Sequence, residues 1–192
     1  MRDIDIRRRL RVDERLHPCD PDTRIVEELG LCQGVARVDL AVVNGTIHGY
    51  EIKSERDTLT RLPGQAEIYN RVLDYVTVVT APMHADNVRK AVPEWWGVWA
   101  VVSDNGEVRL EELRESGRNS EVNPFALAQL LWRDEALQVL IDRDLAVGMR
   151  SKSRKEIWQR LASELTLEEI GSTVRACVKS RGADWRVVLQ QE

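Results

Sequence analysis

Two carboxylates and a lysine lie inside segments whose other residues are mostly apolar, and they carry the strongest chemical signal of the sequence. Asp39 lies in VARVDLAVV, and Glu51 and Lys53 lie in TIHGYEIK. Charge inside an apolar strand is costly unless it is paired or binds a metal. Two adjacent carboxylates repel each other unless a divalent cation lies between them, and a neighbouring lysine can stabilise developing negative charge. Alternatively, these residues and Arg37 form a solvated salt-bridge ladder on an exposed sheet face.

The elements that would bring the carboxylates together are two strands joined by a tight turn. Residues 35–43 and 46–53 are rich in β-branched and apolar side chains, which is typical of strands. Asn44-Gly45 between them is a strong hairpin signal. With the turn centred near Asn44–Thr46, Asp39 lies five residues before Asn44 and Glu51 five residues after Thr46, so we expect them to be near neighbours across the hairpin.

Strand alternation decides which side chains share a face of the sheet. Glu51 and Lys53 are two residues apart and therefore point to the same side. His48 points to the opposite side, so we do not expect it to be a metal ligand.

The surrounding sequence predicts alternating helices and strands. A short helix from Thr23 to Leu29 precedes the hairpin and ends at Gly30. A second helix follows Lys53, since Pro63 suits a first turn. Next come a strand at 75–80, a helix at 84–91 and strands at 97–102 and 107–110, then, after a linker at 116–123, helices at 124–132, 134–145, 152–164 and 167–180.

This order predicts an α/β fold, in which a mixed central β-sheet is flanked by helices and followed by a helical C-terminal extension. We place the core in residues 1–115 and the extension in residues 124–192.

The charged triplet and the order of elements around it resemble the PD-(D/E)XK superfamily of restriction-endonuclease-like nucleases. VDLAVV with Asp39 and YEIKS with Glu51 and Lys53 match its motif, although Val38 stands where the motif's name puts proline. On the next helix, Gln65-Ala-Glu-Ile-Tyr69 is similar to the QxxxY motif of RecB-type nucleases. The resemblance covers residues 23–80 and points to a small prokaryotic or phage family.

The resemblance implies a metal-dependent nuclease that hydrolyses phosphodiester bonds, with DNA as the expected substrate. Asp39, Glu51 and the backbone carbonyl of Ile52 would hold Mg²⁺ or Mn²⁺, which would activate a water molecule. Lys53 would orient that water or stabilise the transition state. Glu28, an acidic residue on the predicted first helix, would complete the catalytic site.

The same resemblance gives Gln65 and Tyr69 a role in placing the nucleic-acid strand near the metal. Four-residue spacing puts both on one helical face, which an ordinary amphipathic helix would also do. Arg56 and Arg61 follow the second strand, where they would contact phosphates or belong to a solvated loop.

A second basic cluster lies far along the chain. The formal net charge is −4, yet residues 149–163 hold five basic residues and one acidic residue. Lys152, Arg154 and Lys155 are our candidates for phosphate contacts. The alternatives are a docking surface for a protein partner and the basic solvent face of an amphipathic helix.

Composition sets the compartment that we expect. No apolar run approaches the roughly 20 residues that a membrane span needs, and the charged N-terminus lacks a signal core. The three cysteines form no CxxC pair, which favours a reducing environment. We therefore expect a cytoplasmic protein with no membrane partner.

Three functions remain open at this point. The first is an active nuclease in repair, phage replication or defence. The second is a non-catalytic nucleic-acid-binding or regulatory module that uses the basic C-terminal helices. The third is an effector that acts only in complex with a protein partner; a homodimer is a further option.

Overall fold

The computed structural model describes residues 3–16, 22–104 and 107–182. The first part consists of helix α1 (Asp3–Arg11), strands β1 (Arg24–Leu31), β2 (Ala36–Val43) and β3 (Ile47–Lys53), helix α2 (Leu62–Tyr69), strand β4 (Tyr75–Thr80), helix α3 (Ala85–Ala91) and strands β5 (Gly97–Asp104) and β6 (Glu107–Arg114). The helices that follow are α4 (Pro124–Ala128), α5 (Arg133–Ile141), α6 (Arg154–Glu164) and α7 (Leu167–Ser180).

The strands form one mixed sheet whose spatial order equals their order along the chain, from β1 to β6. The β3–β4 and β4–β5 pairs are parallel, and the other neighbours are antiparallel. Parallel neighbours need a crossover connection, and α2 lies in the crossover between β3 and β4. The predicted α/β fold with a helical C-terminal part is confirmed.

Helices cover both faces of the sheet. On one face, Ile6 and Leu10 of α1 pack with Leu40, Tyr50 and Trp99. On the other face, residues of the sheet, of α2 and of the C-terminal helices form a single hydrophobic cluster, to which α4, α6 and α7 contribute Leu127, Ile157, Trp158, Ile170 and Val174. The C-terminal helices therefore share their core with the sheet. The predicted boundaries stay a prediction, and residues 183–192 of that extension lie outside the described part.

The first strand and the last helix are joined directly. Arg24 donates from Nη1 to the backbone carbonyl of Lys179 at 2.9 Å and from Nη2 to that of Gly182 at 3.1 Å. This contact links the start of β1 to the C-terminal end of α7.

The helix predicted from Thr23 to Leu29 is wrong, because this segment forms β1. The reason is an irregularity at Glu28, whose φ is 51°. Regular pairing holds on either side of it, between Glu27 and Leu40 and between Leu29 and Val38. The irregular residue gives the apolar residues of β1 a helix-like spacing. A helix does precede the strands, but it is α1 in the charged N-terminal arm, where no element was predicted.

The hairpin is formed as predicted. Val43 pairs with Ile47, and the register continues to Leu40 and Tyr50. At the turn, the side-chain oxygen of Asn44 accepts a hydrogen bond from the backbone N–H of Thr46 at 3.0 Å. The short amide side chain thus closes the turn locally.

His48 points away from Glu51, as strand alternation predicts. Its Nε2 lies 2.9 Å from Thr77 Oγ1, and its ring stacks on Tyr50 with 4.3 Å between centroids. Burial lowers the pKa of His48 to about 4. The imidazole is therefore neutral in the folded protein at neutral pH.

His48 should make the free energy of unfolding fall as the pH drops from about 6.5 to about 4, because in that window the unfolded chain binds a proton that the folded chain excludes. Urea unfolding at about pH 7 and about pH 5 should show a loss of about 2 kcal/mol from this group. His48→Gln should abolish this part of the pH dependence, whereas Thr77→Val, which keeps the imidazole, should retain it. If His48→Gln loses as much stability between the two pH values as the native protein, the pH dependence does not come from His48.

Candidate functional site

The candidate site is built around the buried Glu51 carboxylate on β3. Its Oε1 accepts hydrogen bonds from Lys53 Nζ at 2.6 Å and from Gln65 Nε2 at 2.7 Å. Its Oε2 accepts one from the Tyr69 hydroxyl at 2.6 Å. Glu51 is 2% exposed and Lys53 4%, so the pair is closed from water.

Gln65 and Tyr69 reach Glu51 because both lie on the inner face of α2, four residues apart. Gln65 Oε1 also accepts from Lys53 Nζ at 3.0 Å, so the amide bridges the two charges. The Tyr69 oxygen lies 2.7 Å from the backbone carbonyl of Arg37 on β2. Burial, followed by the Glu51 charge, raises the pKa of Tyr69, which keeps its hydroxyl a donor.

The second carboxylate, Asp39, has different partners. Its Oδ1 accepts from Arg7 Nη2 at 2.7 Å, and its Oδ2 accepts from the backbone N–H of Ile52 at 2.7 Å. The same Arg7 nitrogen lies 2.7 Å from Glu28 Oε1. A guanidinium from α1 therefore bridges two of the predicted site carboxylates.

Strand register explains why these acidic residues converge. Glu28 and Asp39 lie opposite each other, between regular pairs of β1 and β2. Regular pairing of β2 with β3 stops at Leu40 and Tyr50, one step before Asp39 and Glu51. At this point the Asp39 carboxylate, rather than a backbone carbonyl of β2, accepts the hydrogen bond from the Ile52 N–H of β3.

Burial raises the affinity of Asp39 for a proton. Burial and the nearby Glu51 carboxylate raise the pKa of Asp39 to about 7, although Arg7 and the Ile52 N–H act in the opposite direction. The site is thus a tight polar network rather than a solvated ladder. Arg37, the fourth charge of the ladder alternative, has an exposed side chain and contributes only its carbonyl.

Sequence reasoning placed Asp39, Glu51, Lys53, Gln65 and Tyr69 together, and the structure brings them together. It missed Arg7, which lies within a run of arginines that gives no sign of its partner. Glu28 is close to the site but lies on β1, not on a helix.

The metal ligands predicted from the sequence remain predictions. Among residues 3–16, 22–104 and 107–182, no group of three or more His, Cys, Asp or Glu side chains could hold a metal ion. The two carboxylates of the expected set, Asp39 and Glu51, are bound by Arg7 and Lys53. Mg²⁺ or Mn²⁺ at these carboxylates and at the Ile52 carbonyl is not shown.

The predicted nucleic-acid contacts fall into two groups. Tyr69 is fully buried and Gln65 is half-buried, and both are engaged with Glu51. Arg56 and Arg61 are exposed between β3 and α2. For all four, a contact with nucleic acid stays a prediction.

The basic cluster of the C-terminal region lies where α5 connects to α6. Arg150, Lys152, Arg154 and Lys155 are all exposed. Ser153 caps α6 in a reciprocal capping box with Glu156. The cluster therefore surrounds a well-formed helix N-terminus.

Comparison with known proteins gives the family. The family described as Bacteriophage P4 protein cII matches residues 12–190. The chain belongs to this family. "Protein cII" of Enterobacteria phage P4 is 31% identical to it over 160 residues, which are 83% of this chain and 60% of that protein. This member of the P4 cII family thus spans about 60% of the length of that relative.

A solved structure also matches. It is the SPO1766 protein of unknown function from Silicibacter pomeroyi, which is 20% identical, with a TM-score of 0.40. The match covers 64% of this chain and 81% of that one.

The prediction that the chain is a Mg²⁺- or Mn²⁺-dependent nuclease is wrong, because the family and the relative are phage protein cII and not nucleases. The expectation of a phage family is confirmed, whereas these matches do not show membership of the PD-(D/E)XK superfamily. The catalytic roles given to Asp39, Glu51, Lys53 and Glu28 lose their basis with the enzyme. Within the described residues, no helix is long and apolar enough to cross a membrane.

Lys53→Met should lower the free energy of unfolding by about 3 kcal/mol, because it leaves the buried Glu51 charge without its cation. The double variant Glu51→Gln/Lys53→Met should recover at least about 1 kcal/mol of that loss, since it removes both charges. Urea unfolding of the native protein, the single variant and the double variant measures these differences. Lys152→Met, which breaks an exposed ion pair with Glu156, is the control and should leave stability nearly unchanged. A double variant no more stable than Lys53→Met would contradict this account.

Proposed function

We propose that this P4 cII family member is a phage regulatory protein that binds nucleic acid without cleaving it, and that DNA is its partner. Family membership supports the phage context. The observation that carries the nucleic-acid part is the exposed basic surface at the α5–α6 connection. We name residues 145–155 the basic connection.

The basic connection contrasts with the acidic balance of the whole chain. It holds four basic residues and no acidic residue, although the formal net charge of the protein is −4. All four basic side chains are exposed. A local cluster of this kind attracts phosphates irrespective of the total charge, because salt screens exposed charges beyond about 10 Å.

Helix geometry adds to the attraction. The cluster surrounds the N-terminus of α6, where the helix dipole favours anions. Lys152 pairs with Glu156 at 2.9 Å, but both side chains are nearly half exposed. Exposed pairs contribute little free energy, so a phosphate can compete for Lys152.

The polar centre fits a scaffold role in this proposal. Arg7 and Lys53 are ion-paired with Asp39 and Glu51, and their contacts tie α1, β2, β3 and α2 together. The resemblance to PD-(D/E)XK proteins would then concern only the scaffold formed by residues 23–80. In this proposal the scaffold presents the basic connection, which makes the contact.

The double variant Arg154→Ala/Lys155→Ala should weaken binding to a mixed-sequence DNA duplex by about tenfold or more at moderate salt, because it removes two phosphate contacts. The slope of log affinity against log salt should become shallower by about 0.9 for each lost contact. Fluorescence anisotropy across a salt series measures both quantities.

The matched control is Lys90→Ala/Arg118→Ala, which removes the same charge from exposed positions elsewhere. It should bind like the native protein, as should Asp39→Asn. The pair Arg56→Ala/Arg61→Ala tests the other predicted contact surface. If the control weakens binding as much as Arg154→Ala/Lys155→Ala, or if the native protein does not bind, the proposed function fails.

A further inference from the structure

One valine points into solvent at the centre of the basic connection. Val147 is 91% exposed, the highest value among the large apolar residues that the structure describes. Its apolar neighbours in the connection, Leu145, Ala146 and Met149, are partly buried and pack against the main hydrophobic cluster. Val147 alone among these apolar residues points outward, and we call it the tip of the basic connection.

The connection holds this valine in a fixed position. The Leu145 N–H donates to the carbonyl of Leu140 at 2.8 Å, and the Met149 N–H donates to that of Ala146 at 3.0 Å. Gly148, with φ of +73°, makes the turn directly after the valine. The tip is therefore anchored on both sides.

A side chain from α5 fixes the basic flank as well. Arg133 Nη2 donates to the backbone carbonyl of Arg150 at 2.6 Å. The Lys152 N–H in turn donates to the carbonyl of Met149 at 3.0 Å. The exposed cations thus lie on backbone whose position relative to the tip is set.

We propose that Val147 is an apolar wedge that inserts between base pairs of duplex DNA, while the flanking basic residues hold the phosphates. This inference rests on the proposed function and assigns its contact surface. Proteins that bind the minor groove insert apolar side chains between base steps and use basic residues beside them. The four exposed cations that follow the tip are complementary to the polyanion and outnumber the two exposed aspartates before it, Asp142 and Asp144.

The residue types favour a duplex over a single strand. Proteins that bind single strands stack the bases on aromatic side chains. The aromatic residue nearest in sequence to the basic connection is Trp158, which is 2% exposed and donates its indole N–H to the Leu131 carbonyl at 3.1 Å. It cannot offer a stacking face, whereas Val147 offers an aliphatic tip.

The test uses the full chain and a mixed-sequence DNA duplex that contains TA steps and a fluorescent adenine analogue beside one of them. Wedge insertion unstacks a step, so binding of the native protein should raise the fluorescence of the analogue. Val147→Ala should reduce that rise and weaken binding by about fivefold, with no change in salt slope because no phosphate contact is lost. Val147→Lys adds a cation but no wedge, and should also lose the rise.

The control is Val35→Ala, at another exposed valine (73% exposed) in the β1–β2 turn, which should behave like the native protein. If native binding raises no fluorescence, or if Val147→Ala keeps both the affinity and the rise, the wedge is overturned while the proposed function stands. A change of oligomeric state in Val147→Ala, seen by sedimentation, would assign the valine to a second copy of the chain and overturn the wedge. Absence of native binding would overturn the proposed function itself.

Discussion

The buried Glu51 carboxylate is the constraint on which this end of the fold depends. A charge that is removed from water must be paired and hydrogen-bonded, or it destabilises the fold by several kcal/mol. Here one cation and two neutral donors meet that requirement, and they come from β3 itself and from the inner face of α2. The position of α2 on the sheet is therefore fixed by polar contacts as well as by apolar packing.

Asp39 extends the same constraint to the other side of the sheet. Its two oxygens bind a guanidinium from α1 and a backbone N–H from β3. The hairpin can open at this point because the side chain supplies the acceptor that a regular ladder would have provided. The charged residues that resemble a nuclease motif thus hold neighbouring elements together, and this role does not depend on any catalysed reaction.

Local signals in the sequence predicted the parts of the fold that obey regular periodicity. The hairpin at Asn44-Gly45 and the helix at 167–180 follow from turn chemistry and amphipathic spacing, and both were found. Glu28 shows the limit, because one left-handed residue changed the spacing of the apolar side chains and made a strand resemble a helix. Arg7 shows another limit, since its partner lies 32 residues away and only the folded sheet brings them together. The motif predicted correctly which residues meet. The chemistry inferred from the motif was a separate step, and the family match contradicts that chemistry.

The contact between Arg24 and the end of α7 has a consequence for how the protein is made. On one face of the sheet, α2, α4, α6 and α7 share one hydrophobic cluster, and the last three of these helices follow all six strands in the chain. Until α4, α6 and α7 leave the ribosome, the part of this face that they cover stays open, and the contact across 155 residues cannot form. Long-range contacts of this kind slow folding and leave intermediates prone to aggregation. The sheet therefore carries an uncovered apolar surface until α7 has been made.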